Sequence, residues 1–166
     1  MEDWLALWEK EKEANISSVL QNIDRLSNDN VEKSSSKLRT IHDDVFQHFD
    51  CIQCSKCCKE APPLITREDI NRISKRLNIS RKAFKNKFLL EDINGENSFK
   101  QVPCVFLDVD QKCTIYEDRP LACRRYPHTD ERDFPKRAKL NKKIVLQCPA
   151  AYKIIDLYFK PDTNDL

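Results

Sequence analysis

Apolar residues recur every three or four positions along the first 49 residues, and this spacing predicts helices. Ile16, Val19, Leu20, Ile23 and Leu26 form one stripe, and Trp4 and Trp8 lie a turn apart on the same segment. Ser27-Asn28-Asp29-Asn30 interrupts the stripe as a turn. Leu38, Ile41, Val45 and Phe49 then resume it, so residues 1–49 read as an antiparallel helical hairpin. As a packing element the hairpin needs no partner. An open Trp4/Trp8 face is the feature that would make it a docking helix for another protein.

Further along, the periodic segments shorten. Ala61-Pro62-Pro63 imposes an extended stretch, because proline fixes its own φ and restricts the residue before it. Thr66 is expected to cap a helix with Glu68 and Asp69 in its first turn and Ile70, Ile73 and Leu77 on its apolar face. Ser80 caps the next one, with Phe84, Phe88 and Leu89 inward. Residues 101–116 place β-branched and aromatic residues on both sides of Asp108-Val109-Asp110-Gln111-Lys112, which predicts a short β-hairpin. Pro120 suits the start of another helix, which Tyr126-Pro127 ends. The charged run 130–143 reads as a solvated loop, and Ala150, Ile154, Leu157 and Tyr158 as a last helix. The predicted class is mainly α with a small β-hairpin (α+β). A helical hairpin at 1–49 precedes a cysteine-rich, metal-stapled domain at 50–160, followed by a tail at 161–166.

Composition narrows the functions. The 166 residues carry 34% charged side chains but a net charge of only +2, which points away from nucleic acid. No run approaches the ~18 apolar residues of a membrane span. The single glycine, Gly95, leaves nothing from which to build a dinucleotide-binding or phosphate-binding loop. Met1-Glu2-Asp3-Trp4 lacks the basic and apolar regions of a secretory signal, so the expected compartment is cytoplasmic. Thiols stay reduced there, and eight cysteines then call for something other than disulfides.

Metal ligation is that explanation. Cys51, Cys54, Cys57 and Cys58 are followed by Cys104, Cys113, Cys123 and Cys148. Two residues between cysteines let a tight turn aim both sulfurs at one metal, and thiolate is a soft ligand for zinc and iron. Two overlapping C-x-x-C steps resemble the run that wraps a cubane in bacterial ferredoxins, and Cys148-Pro149 resembles that motif's remote cysteine. The ninety-residue gap before it departs from the pattern. Neighbouring side chains diverge in an extended segment, so Cys57 and Cys58 are expected to serve two metals or opposite sides of a polynuclear site. Arg119 and Arg124 are candidates to donate N–H bonds to the thiolates and offset their charge, against the simpler alternative of pairing with Glu117 and Asp118. Tyr116 and Tyr126 are expected as walls that exclude water. His42 and His48 do not share a helix face, which leaves His128 as the histidine to consider as a substitute ligand.

The string C-x-x-C-x-x-C-C, then Cys113-Thr114-Ile115-Tyr116-Glu117-Asp118-Arg119-Pro120, then Cys123-Arg124-Arg125-Tyr126-Pro127, resembles the YkgJ-type cysteine-cluster family. The resemblance runs from about Cys51 to Cys148 and implies zinc or iron chelation by all eight cysteines. A similar cluster in the bacterial flagellin lysine N-methylase has iron–sulfur character. Three functions follow as expectations. The first is a metal-binding protein holding a 4Fe-4S cluster or zinc; the second is a protein-modifying enzyme resembling that methylase. The third is a zinc-stapled module for an unidentified protein partner.

Overall fold

The periodic segments at the start of the chain become two long helices, α1 (Trp4–Leu26) and α2 (Val31–His48), in a computed structural model that describes residues 4–160 apart from the Trp4 side chain. The expected tail at 161–166 and the Trp4 side of the tryptophan face lie outside the described residues. The chain continues through α3 (Cys51–Cys54), α4 (Lys56–Glu60), β1 (Leu64–Ile65), α5 (Arg67–Arg76), α6 (Arg81–Phe88), β2 (Leu89–Glu91) and β3 (Asn97–Phe99). It ends with α7 (Leu121–Arg125), α8 (Ala138–Gln147) and α9 (Pro149–Phe159), with 3-10 turns at Tyr116–Asp118 and Phe134–Lys136. The fold is mainly α with one small antiparallel sheet, as the sequence pattern implies. The chain divides into two units: one runs to Asp50 and resumes at Pro127, and the other is Cys51–Tyr126.

In the helical unit, Asn30 caps α2 by accepting the N–H groups of Glu32 and Lys33 at 3.1 Å each. Helices α8 and α9 pack on α1, and α9 also packs on α2. Ile23, Leu26, Leu38, Ile154 and Ile155 are fully buried in this unit. Each such side chain stabilises the fold by roughly 1.5–3 kcal/mol relative to exposure. Trp8 is buried as well, with the Lys12 ammonium 4.1 Å from its ring centroid. The charged segment expected to be a loop instead forms α8 over its second half. Asn141, Ile144 and Val145 supply a buried face there, and the Asn141 amide donates to the Phe134 carbonyl. Helices α8 and α9, which in sequence lie beyond Cys123, thus belong with the hairpin.

The cysteine unit is built from shorter pieces. Its strands run in the order β1-β3-β2, with Leu64 opposite Ser98 and Leu89 opposite Phe99. The hairpin between β2 and β3 turns through Asp92 to Glu96, where Gly95 adopts φ +79°. A left-handed φ there costs a glycine nothing. The hairpin expected at 101–116 is reduced to a single bridge between Leu107 and Cys113, around a turn in which Asp108 accepts the Lys112 N–H at 2.7 Å. Thr66 and Ser80 cap α5 and α6 as expected. The core joins Ile65, Ile70, Ile73, Phe84, Leu89, Phe99, Phe106 and Ile115.

Candidate metal centre

Cysteines from four separate stretches of this unit converge because short elements hold each one. Cys51 and Cys54 lie on α3, and Cys57 and Cys58 on α4. Between the two helices Ser55 is buried and left-handed, with φ 48°. That conformation costs a non-glycine residue about 1–2 kcal/mol, and it ends α3 so that α4 can start in a new direction. The Cys104 N–H donates to the Cys58 carbonyl at 2.8 Å, tying the loop after β3 to α4. Cys113 sits at the Leu107 bridge, and Cys123 on α7.

Cys51, Cys57, Cys58, Cys104, Cys113 and Cys123 line one cavity of about 70 Å³. Its inner wall is the core itself, through Phe99, Phe106 and Ile115, and Tyr116 and Tyr126 wall it as expected. Cys57 and Cys58 do not diverge. They lie on a helix rather than an extended segment, and both border the one cavity. Cys54 is half-buried and does not line the cavity.

None of the eight cysteines is in a disulfide, and burial raises the pKa of several that line the cavity. Burial first, and then the sulfurs of Cys58 and Cys113, push Cys104 up to about 11. Cys123 is pushed up to about 12 by burial and by Cys58, Cys104 and Cys113. The neighbouring Cys57 thiol, and then burial, raise Cys58. Cys54 and Cys113 are raised by burial. Clustered thiols that resist ionisation suit a cation, which favours the thiolate and displaces the protons. Among the described residues no three potential ligands stand already closed around one point, so the donors share a cavity rather than a finished coordination sphere.

Arg119 lines the cavity, and its charge offsets part of the rise that burial imposes on the Cys113 and Cys123 thiols. Its guanidinium stacks 3.7 Å from the Tyr116 ring centroid and donates to the Tyr116 carbonyl at 2.8 Å. Arg124 is exposed and donates to the Arg119 carbonyl at 2.9 Å, so it meets backbone rather than sulfur. Cys148 and His128 belong to the helical unit. Cys148 is buried and caps α9, its sulfur accepting the Ala151 N–H at 3.5 Å. The His128 ring meets the Glu131 carboxylate at 2.8 Å.

Sequence reasoning missed Asp69. Its carboxylate is fully buried. Burial alone would raise its pKa, but hydrogen bonds from Thr66, Arg72 and Leu121 outweigh that and hold it below the ordinary carboxylate range. The signal was Thr66-x-x-Asp69, a capping-box pattern read only for the helix dipole.

A small helical domain whose thiols surround a cavity belongs to the class of metal-chelating cysteine domains. The chain is a member of the CxxCxxCC family, whose model, described as "Putative zinc- or iron-chelating domain", matches residues 50–148. It is also 33% identical over 121 residues to an uncharacterized protein of Methanocaldococcus jannaschii, covering 68% of this chain and 65% of that relative. The chain therefore matches a little under two thirds of that protein's length. No solved structure matches. Metal binding is thus the family's property, and among the described residues no helix is long and apolar enough to cross a membrane.

Proposed function

We propose that the protein holds an iron–sulfur cluster of the 4Fe-4S type in the thiol-lined cavity, for electron transfer or metal handling in a reducing compartment such as the cytoplasm. Cys58, Cys104, Cys113 and Cys123 are the inner ligands, and Cys51, Cys54 and Cys57 stand beside them. One observation carries the reading: six thiols border a single cavity of about 70 Å³. A tetrahedral ion is saturated by four thiolates and fills the space between them. Six sulfurs around a void several times the roughly 10–15 Å³ that one water needs suit a polynuclear centre better. Four cysteines hold a 4Fe-4S cluster, and burial and nearby cations tune its potential. Arg119, whose field reaches Cys113 and Cys123, supplies such a cation.

Zinc is the alternative, because the same four inner thiols suit a closed tetrathiolate site. Anaerobic purification with visible spectroscopy and counts of metal and acid-labile sulfide separates the two. Brown protein containing iron and sulfide, bleached by oxygen, is the expected result. Colourless anaerobic protein with stoichiometric zinc and no sulfide overturns the iron–sulfur assignment.

A further inference from the structure

Helix α5 carries no cysteine, yet it grips the segment that leads into α7. Asp69 lies in its first turn and is fully buried. One of its oxygens accepts the Thr66 N–H at 3.0 Å and the Thr66 hydroxyl at 2.9 Å. The other accepts Arg72 Nη2 at 2.7 Å and, across 52 residues of sequence, the Leu121 N–H at 3.0 Å. The same Arg72 nitrogen donates to the Asp118 carbonyl at 3.3 Å and the Arg119 carbonyl at 2.9 Å. Arg76 adds a pairing with the Asp118 carboxylate at 3.5 Å.

The clamped segment bears Arg119 and enters α7, which carries Cys123 two residues after Leu121. We infer that Asp69, through Arg72 and the Leu121 N–H, is a positioning residue that sets Cys123 and Arg119 against the metal cavity. This rests on the reading that Cys123 is a metal ligand. A buried carboxylate is the group the position requires. It accepts four hydrogen bonds on two oxygens, whereas an amide offers one acceptor oxygen and turns two donors toward donors. Leu121 begins α7 and has no intrahelical acceptor for its N–H, so Asp69 also satisfies an orphan donor. Groups that orient ligands without touching the metal typically govern its affinity by 10–100-fold.

The test compares the metal-loaded full-length protein with its Asp69→Asn variant. Metal release to a chelator should quicken by about tenfold or more. Pulse alkylation read residue by residue should show Cys123 becoming reactive while Cys58 and Cys104 keep their protection. A merely structural role would expose all three together. Arg72→Gln, on a partly exposed side chain, should give the same pattern more weakly, and it decides the matter if Asp69→Asn fails to fold. A metal-loaded parent whose release rate and Cys123 reactivity do not change in these variants overturns the inference alone. Uniform exposure of the thiols overturns it too. A parent that holds no metal overturns the metal reading and this inference with it.

Discussion

The helical unit and the cysteine unit are held by different means. The first has helices of 23, 18, 10 and 11 residues whose apolar faces meet one another. In the second the longest helix has 10 residues, and three have four or five. Helices this short do not persist alone in water. The stretch from β1 to β3 has its own core of isoleucine and phenylalanine. Around residues 51–60 and 104–123 that core gives way to a cavity bordered by sulfur. Hydrophobic burial thus accounts for the first unit and for half of the second. The remainder is built from short helices and loops that a metal held by the cysteines would tie together.

Metal removal should have the largest effect. A chelator should loosen 51–60 and 104–123 together and cost that region roughly 5 kcal/mol or more, given the about 10–16 kcal/mol of zinc binding in finger peptides. Hydrogen exchange checks this: protection should vanish there and persist in α1, α2 and α9. Uniform loss across both units would erase the distinction between them. Next in size, Leu38→Ala in the helical unit should cost about 2–5 kcal/mol, since its side chain is fully buried. Metal per folded chain should not change, as denaturation with metal counting would show.

A smaller effect should appear with pH in the metal-loaded protein. A metal must displace the thiol protons of Cys104 and Cys123, which burial holds above the ordinary thiol value, so it should be held less tightly as pH falls. Metal retained against a fixed chelator should drop between about pH 8 and about pH 6, and drop less for Cys123→Ala. Equal slopes would contradict a role for Cys123 as a ligand. The smallest effect belongs to Asn30→Ala, which removes the α2 cap and should cost about 1 kcal/mol in thermal denaturation, confined to the helical unit.

The legibility of the sequence follows the same division. The hairpin was readable because Val19, Ile23, Leu26 and Leu38 are buried by the periodicity that predicts their helices. Thr66 and Ser80 were readable because capping is local. The β-hairpin was misplaced: residues 101–116 have strand-like composition, but Asp108 folds the chain back on its own backbone after one bridge. The actual turn carried the Asn94-Gly95 signal, overlooked between short strands. Helix α8 hid behind its lysines, since only Asn141, Ile144 and Val145 face inward. The cysteine motif announced metal binding, yet which sulfurs share a cavity depends on the Cys104–Cys58 backbone bond and the Asp69 clamp. Those contacts join residues dozens of positions apart, and no local pattern encodes them.

X-ray absorption at the metal edge of anaerobically prepared protein would read directly whether thiols of the cysteine unit hold the metal. The first shell should be sulfur alone at about 2.3 Å, with iron in the second shell. A first shell dominated by nitrogen or oxygen would contradict thiol ligation.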